Sequence, residues 1–181
     1  MRLGATLVAH SIYRGIDNLA PLGFNSILTE GYTGYLNRGQ ALEEDVKNSP
    51  PGKVFLAALS TGMLSAAEIY DVLHPGKIRV YGIEDQNLYK QHSRLLFGKD
   101  PTRYLRPIPS QTDHEQIIAK RSHAMVANAL NFMQTEKVDK VIIIAGTAHI
   151  EGIEHLLENN NISFITIEPH GLQESLEVKN Y

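Results

Sequence analysis

The sequence lacks cysteine, any long apolar run and any strong excess of one charge. Without cysteine the chain can form no disulfide, no thiolate nucleophile and no cysteine-rich zinc site, which fits a reducing compartment. No apolar run approaches the roughly 20 residues that cross a bilayer, and the polar start of the chain does not have the pattern of a signal peptide. We therefore expect a cytoplasmic protein. A signal peptide upstream of Met1 would change that expectation.

The charge balance and the missing motifs also exclude several classes of function. A formal net charge of -3 and a pI near 6.2 give no excess of positive charge that would bind nucleic acid or an anionic membrane. The expected partner is therefore a small molecule or a peptide. The chain contains no H-E-x-x-H, G-x-S-x-G, P-loop or G-x-G-x-x-G pattern. Zinc-protease, serine-hydrolase, nucleotide-hydrolase and dinucleotide-binding interpretations thus lack support.

The residues that are present predict an α/β fold. A chain of 181 residues, of which 43% are hydrophobic, is long enough to bury the core of one domain. Segments with strand character alternate with segments whose apolar residues recur at helical spacing, which is typical of a mostly parallel sheet. We predict strands at residues 24–29, 78–83, 141–145 and 162–167, and helices at residues 5–20, 39–47, 65–73, 85–97, 113–135 and 151–159. The expected architecture is one domain over residues 1–181, in which helices sandwich a mostly parallel sheet of about four or more strands.

Local patterns refine this prediction. Ser65 and Glu68 form a capping-box pattern, which favours the start of a helix at this point. Residues 98–112 are rich in proline and are predicted to be a loop that either covers a site or only connects two helices. The apolar segment 141–145 predicts a strand buried on both faces. The polar residues 172–181 predict a frayed tail.

Polar residues follow three of the predicted strands. Glu30 follows the first strand, Glu84 follows the second, and the sequence Gly146-Thr147-Ala148-His149 follows the third. Because ligands in open α/β sheets bind beyond the carboxyl ends of the strands, we expect these residues to converge on one rim. The imidazole would serve as a metal ligand or an acid–base group, and a carboxylate would bind a metal or polarise a water. A histidine that only packs or caps the turn, and carboxylates that are only solvated, remain open as alternatives.

The longest predicted helix carries another pair of candidates. Arg121 and Asn128 lie seven residues apart and therefore nearly on one face of the helix. This pair would clamp an anionic or carbonyl group of a ligand. The alternative is a helix surface with a single salt bridge. His114, at the boundary between the predicted loop and this helix, is assigned to the loop and given no role.

Taken in order, these segments resemble the superfamily of the erythromycin esterase-like, TraB, Tiki and ChaN proteins. That group has an α/β fold, an early Gly-x-x-His motif, a Glu that closes the next strand, and a late second Gly-x-x-His. Here Gly146-Thr147-Ala148-His149 resembles the second motif, and the short strand ending in Glu30-Gly31 resembles the Glu segment. The stretch from Arg121 to Asn128 is similar to the Arg-x-x-x-Met-x-x-Asn helix of the esterase-like branch, and Tyr81-Gly82-Ile83-Glu84-Asp85 is also similar to the group.

The first Gly-x-x-His motif of that group, and the strand that carries it, have no counterpart in this sequence. We therefore expect a domain that lacks an N-terminal strand of the group's fold. A truncated chain, a misplaced start and a branch that has lost the motif are all compatible with this pattern.

The resemblance implies a hydrolase that acts on an ester or amide bond. Under this hypothesis His149 and Glu30 are catalytic, and they either bind a divalent metal (Mn²⁺, Co²⁺ or Zn²⁺) or activate water. The substrate would be bound by Arg121, Asn128, Glu84 and Gly146.

Two alternatives stand beside the hydrolase. The haem-uptake branch implies a ligand-binding module, in which a tyrosine such as Tyr13, Tyr32 or Tyr35 acts with a histidine to ligate haem iron. For these tyrosines, packing is the competing interpretation. The other alternative is a degenerate or truncated domain that acts through association, including as a homo-oligomer, because a missing strand leaves a sheet edge open to pairing.

Overall fold

The computed structural model describes residues 3–36, 65–97 and 110–169. Within these stretches the chain forms five α-helices and four β-strands. In chain order the elements are α1 (Leu3–Leu19), a 3₁₀ turn (Ala20–Leu22), β1 (Ser26–Thr29), β2 (Thr33–Tyr35), α2 (Ala66–Leu73), β3 (Arg79–Ile83), α3 (Gln86–Phe97), α4 (Gln111–Glu136), β4 (Ile142–Ile144), a second 3₁₀ turn (Thr147–His149) and α5 (Ile150–Asn159). The predicted helix 39–47, the tail 172–181 and most of the loop 98–112 lie outside the described residues. No helix in the described stretches is long and apolar enough to cross a membrane.

The four strands form one sheet in the order β2-β3-β1-β4. β1 pairs in parallel with β3, with Leu28 opposite Tyr81, and in parallel with β4, with Leu28 opposite Ile143. β2 pairs antiparallel with β3, with Thr33 opposite Ile83. The prediction of an α/β fold with a mostly parallel sheet is therefore confirmed.

Two hydrophobic clusters meet the sheet at Ile27 and Leu28, the adjacent residues at the middle of β1, and both side chains are fully buried. Successive side chains of a strand point to opposite faces. Ile27 belongs to the cluster that contains Ile16 of α1 and Tyr70 of α2. Leu28 belongs to the cluster that contains residues of α4 and α5. Both faces of β1 therefore take part in apolar packing, which fixes the strand that leads to Glu30.

Local sequence signals set the starts of two helices. The capping box predicted for α2 is present: Ser65 Oγ accepts the N–H of Glu68 at 3.3 Å, and the Glu68 carboxylate accepts the N–H of Ser65 at 2.8 Å. Ser110 caps α4, because its Oγ accepts the N–H of Asp113 at 3.1 Å. A capped start at this point places His114 in the first turn of α4, so its assignment to the preceding loop is wrong.

The prediction of a strand at residues 162–167 is also wrong. The segment has no strand conformation, and Ile165 and Ile167 are 87% and 64% exposed. A sequence with strand character becomes a strand only where a neighbouring strand supplies backbone partners, and no described strand pairs with this segment. Among the four described strands, β4 is consequently the outer one on this side of the sheet. Its residues are half-buried rather than buried on both faces.

β2 is a strand that the sequence pattern did not predict. Gly31 adopts a φ of 84° and turns the chain directly after Glu30. The backbone of Tyr32 then lies against Gly82 of β3, and its carbonyl accepts the N–H of Glu84 at 2.8 Å. β2 can approach β3 this closely because residue 82 has no side chain.

The Gly82→Ala variant tests this close approach. A Cβ at residue 82 would overlap the carbonyl group of Tyr32, so we expect a loss of roughly 1–3 kcal/mol in the free energy of unfolding. Gly15→Ala in α1 is the matched control, because a Cβ there meets nothing within 4 Å, and it should stabilise the helix by about 0.5–1 kcal/mol. Urea unfolding of both variants measures the difference. Equal stability of Gly82→Ala and the parent chain would contradict the packing described here.

Candidate functional site

The carboxyl ends of the three parallel strands converge, as the sequence predicted. Glu30 follows β1 and Gly146 lies just beyond β4, and the Glu30 Oε2 atom accepts the N–H of Gly146 at 2.6 Å. A Cβ on residue 146 would lie 3.1 Å from that oxygen. The absence of a side chain at this position therefore helps the carboxylate to approach the turn. Glu84, at the end of β3, accepts the N–H of Gly31 at 3.4 Å.

Arg121 connects α4 to both of these carboxylates. Its Nε and Nη2 atoms donate to the two oxygens of Glu84 at 3.1 and 2.6 Å, and Nη2 also donates to Glu30 Oε1 at 2.8 Å. The exposed fractions of the Arg121 and Glu84 side chains are 4% and 2%. A bidentate arginine–carboxylate salt bridge is among the strongest charge-assisted contacts in proteins. Arg121 thus belongs to the site, but as an internal counter-ion rather than a clamp that faces a ligand.

His149 contacts Glu30 through one ring nitrogen and Ser122 through the other. Its Nε2 lies 3.3 Å from Glu30 Oε1, and its Nδ1 lies 2.9 Å from Ser122 Oγ. The hydroxyl of Ser122 donates its single hydrogen to the carbonyl of Ile118 at 3.0 Å, because a carbonyl can only accept. Ser122 must then accept the Nδ1 proton of His149. In the neutral ring this leaves the Nε2 lone pair directed at the Glu30 carboxylate.

A second histidine pair extends from Arg121. The Nη1 atom of Arg121 lies 2.6 Å from His92 Nδ1, and His92 Nε2 lies 3.2 Å from His114 Nδ1. Because arginine can only donate, His92 accepts at Nδ1 and donates from Nε2 to His114. Burial, together with the charge of Arg121, lowers the pKa of His92. The ring of Tyr89 lies over the Arg121 guanidinium, with 5.4 Å between the guanidinium carbon and the ring centroid.

Sequence reasoning missed Ser122, His92 and His114. One signal was available for His114, because it lies seven residues before Arg121 and so shares its helix face. Ser122 and His92 gave no comparable signal, since their partners lie 27 and 29 residues away in the chain.

The Glu30 carboxylate is the exposed member of this cluster. Its side chain is 23% exposed, whereas those of Arg121, Glu84 and His149 are 4%, 2% and 3% exposed. Burial by itself would raise the pKa of Glu30. With a proton on both ring nitrogens of His149, the hydrogen bonds from His149 and Gly146 and the charges of His149 and Arg121 outweigh burial and lower the pKa to about 2. Glu30 is therefore ionised throughout the neutral range.

Glu30 and His149 do not form a convincing site for a divalent metal. The carboxylate oxygen nearest to His149 already accepts a bond from the Arg121 guanidinium, and a cation bound there would meet that positive charge. A structural or catalytic metal site needs three or more ligands. Among residues 3–36, 65–97 and 110–169, no group of three histidine, aspartate or glutamate side chains is placed to hold a metal ion.

Two other predicted residues lie outside the charged cluster. The Asn128 amide donates to the carbonyl of Ile83 at 3.0 Å and so holds the end of β3, directly before Glu84. Tyr13, considered above as a haem ligand, packs against the cluster that contains Ile27, and its hydroxyl lies 3.0 Å from His74 Nε2.

A cleft of about 360 Å³ adjoins the cluster on the side of β3. Glu84 and the backbone of Gly31 form the wall that the cleft shares with the charged residues. The rings of Tyr32 and Tyr89 and the ammonium-bearing side chain of Lys90 line other parts of it. The lining of the cleft includes Glu84 and Gly31 but not Glu30, Gly146 or His149.

Comparison with known proteins identifies no relative. No family model matches the chain, no curated protein is similar to it, and no solved structure matches its fold. The evidence for the candidate site is therefore its geometry alone.

The low pKa of Glu30 predicts acid-sensitive stability. Because the folded-state pKa of about 2 lies below the ordinary value of 4.5, ionised Glu30 stabilises the fold above pH 4.5. This contribution, up to about 3 kcal/mol, should be lost as the pH falls from 4.5 to 2. Glu30→Gln should lower the free energy of unfolding at neutral pH. It should also reduce the decrease in that free energy between pH 4.5 and 2. Urea unfolding across this pH range measures both effects, with Glu158→Gln on the exposed side of α5 as the control. If the free energy of unfolding of Glu30→Gln fell between pH 4.5 and 2 as steeply as that of the parent chain, the described contacts would be contradicted.

Arg121→Met should be strongly destabilising, because it leaves two carboxylates in the site without their counter-ion. We expect a loss of about 3–5 kcal/mol in the free energy of unfolding. Arg79→Met is the matched control, since the ion pair of Arg79 with Glu136 is about 40% exposed on both sides and should contribute less than about 1 kcal/mol. Adding Glu84→Gln to Arg121→Met should restore part of the loss. Similar effects of the two arginine changes in thermal unfolding would show that Arg121 is not the counter-ion described here.

Proposed function

We propose that this chain is a hydrolase-type domain that acts on an ester or amide bond at the rim formed by Glu30, Gly146 and His149. The observation that carries the proposal is the pairing of Glu30 with His149. An ionised, partly exposed carboxylate is backed at 3.3 Å by an imidazole nitrogen, and the next residue, Gly31, lines a cleft of about 360 Å³. General acid–base catalysis requires a proton acceptor that the substrate can reach, and a second group beside it can take the proton onward.

In this mechanism Glu30 accepts a proton from the attacking water and passes it to His149, which holds it until the leaving group departs. Glu30 alone is a weak base, because Arg121 and the N–H of Gly146 stabilise its ionised form. A water held against its exposed oxygen would attack the carbonyl carbon of the substrate and lose a proton to the carboxylate. The proton passes on to Nε2 of His149, while Nδ1 keeps its bond to Ser122. The same proton then returns to the leaving oxygen or nitrogen, which yields an acid and an alcohol or amine.

The charges around the pair favour this proton transfer. The carboxylates of Glu30 and Glu84 carry two negative charges, and Arg121 supplies one positive charge. A proton on Nε2 of His149 gives the cluster two positive charges against these two negative charges. Arg121 and Glu84 act as positioning residues, because they fix the carboxylate of Glu30 without facing the solvent.

The substrate is expected to lie over the exposed turn Gly146-Thr147-Ala148 and to extend toward the cleft beside Gly31. Gly146 contributes by its lack of a side chain, which leaves Glu30 accessible from this direction. Asn128 contributes indirectly, since it holds the end of the strand that carries Glu84. No step in this mechanism requires a metal.

A ligand-binding module without chemistry is the second candidate. Both ring nitrogens of His149 already have partners, and the side chain is 3% exposed. These two facts favour a site in which Glu30 accepts a hydrogen bond from a ligand and no proton moves to the imidazole.

A hydrolysis assay distinguishes the two candidates. The purified chain should release nitrophenol from 4-nitrophenyl acetate or butyrate, or nitroaniline from peptide anilides, in buffer containing EDTA. Glu30→Gln and His149→Phe should each lower kcat/KM by about 100-fold or more, because each removes one step of the proton path. Ser122→Ala should lower kcat/KM less and change its pH profile. Glu158→Gln should leave the rate unchanged.

Absence of hydrolysis by the parent chain, or equal rates in the parent, Glu30→Gln and His149→Phe, would reject the hydrolase.

A calorimetric titration with Mn²⁺, Co²⁺ and Zn²⁺ tests whether a metal takes part. Stoichiometric metal binding that is lost in both Glu30→Ala and His149→Ala would overturn the metal-free mechanism.

A further inference from the structure

Helix α3 buries one side chain among its residues 86–96, and that side chain is a histidine. His92 is 8% exposed, and every other residue of this range is half-buried or exposed. No side chain of residues 86–96 belongs to either of the two hydrophobic clusters that pack on the sheet. The helix packs on α4 instead. An element with so little apolar burial separates from its neighbours at a low cost in free energy, so the contacts of His92 decide how firmly α3 is held.

Both ring nitrogens of His92 have partners, and the directions of the two hydrogen bonds fix where its proton lies. Its Nδ1 is 2.6 Å from Arg121 Nη1, and its Nε2 is 3.2 Å from His114 Nδ1. Because a guanidinium only donates, Nδ1 of His92 must offer a lone pair. The single proton of the neutral ring is then on Nε2 and is donated to His114. His114 accepts at Nδ1, so both rings are neutral in this arrangement.

A further proton on this pair of histidines costs the contact with Arg121. On His92 the proton would bind Nδ1, where it would face an N–H group and the positive charge of the guanidinium. On His114 it would bind Nδ1 and face the N–H of His92, whose own proton would then have to move to Nδ1 and face Arg121 in turn. Arg121 cannot turn away, because its Nε and Nη2 atoms are bonded to Glu84 and Glu30. Protonation of either ring therefore separates His92 from Arg121.

Four charged or titratable groups act on His92 from the elements packed around it. Arg121 and His114 belong to α4, His149 to the turn after β4, and Glu30 follows β1. Burial is the largest cause of the lowered pKa of His92; Arg121 and the two histidines lower it further, and Glu30 opposes them. The folded-state pKa thus lies below the ordinary value of 6.5. The stability that neutral His92 contributes is therefore present above pH 6.5 and is lost as the pH falls below it.

We propose that the His92–His114 pair is a pH-dependent switch, which holds α3 on Arg121 at neutral pH and releases the helix when the pair binds one proton. The proton comes from solvent, which reaches the partly exposed ring of His114. Release of α3 moves one wall of the cleft, because three of the residues that line it belong to this helix: Gln86, Tyr89 and Lys90. The inference rests on the contacts of His92 and does not depend on the proposed hydrolase.

Amide hydrogen exchange of the full chain at about pH 7.5 and about pH 5 tests the switch. Both values lie above the pKa of Glu30, which is about 2. After correction for the intrinsic exchange rate, the amides of α3 should lose protection by about tenfold or more at the lower pH, since each pH unit changes the ratio of protonated to neutral imidazole by a factor of about ten. The amides of α4 around Met125 should keep their protection, because that side chain is fully buried.

His92→Asn is the variant that removes the titration and keeps the bond to Arg121. The side-chain oxygen of asparagine can accept at the position of Nδ1 but binds no proton in this pH range. The protection of α3 should then no longer depend on pH. His123→Gln is the matched control, because His123 is an exposed histidine of α4, and it should behave like the parent chain.

The ¹⁵N NMR spectrum of the imidazole rings gives a second readout on the parent chain. At neutral pH His92 should carry its proton on Nε2, and Nδ1 should become protonated over the pH range in which α3 loses protection. Protection of α3 that does not change with pH in the parent chain would overturn the proposal. A pH-dependent loss of the same size in His92→Asn, or a proton on Nδ1 of His92 at neutral pH, would also overturn it. The two parent-chain measurements decide the question even if His92→Asn does not fold.

Discussion

The buried guanidinium of Arg121 is the interaction on which the described site depends. It donates to Glu84 after β3 and to Glu30 after β1, and thereby ties one helix to the ends of two parallel strands. Removing charged groups from water is costly, and the cost is offset only when each charge finds partners of good geometry. The three side chains therefore hold one another in place. The position of Glu30, its ionised state and its contact with His149 all follow from this arrangement.

The polar network around Arg121 is ordered by the direction of each hydrogen bond. Arginine only donates and a backbone carbonyl only accepts, so the hydrogens of Ser122, His149 and His92 each have one consistent position. All of these groups are buried, and they converge behind the carboxylate of Glu30, which reaches solvent. This separation of a rigid interior from a single accessible group is typical of sites that prepare one side chain for chemistry or binding.

β4 links the candidate site to the open edge of the sheet. Its carboxyl end leads to Gly146, which donates to Glu30, while its outer side lacks a partner strand among the described residues. The strand is only three residues long and half-buried. This one short strand therefore joins the rim that carries Glu30 and Gly146 to the outer side of the described sheet.

Sequence reasoning was most successful where the cause is local. The helix start predicted at Ser65 depends on a contact between residues three positions apart, and the three parallel strands follow from short apolar runs that alternate with helices. The same alternation correctly placed Glu30, Glu84 and Gly146 on one rim, because parallel strands end on the same side. It failed for residues 162–167, which have strand composition but no paired neighbour, and for β2, which depends on a glycine about fifty residues further along the chain.

The sequence by itself thus determined the fold class, the start of α2 and the strand ends that carry the polar residues, because each depends on periodicity or on neighbours within one turn. Only the tertiary structure decided that Arg121 faces the carboxylates instead of a ligand, that Ser122 orients His149, and that β4 lies at the edge. These contacts join residues 27 or more positions apart. Their geometry depends on how helices pack on the sheet, and no local pattern encodes that packing.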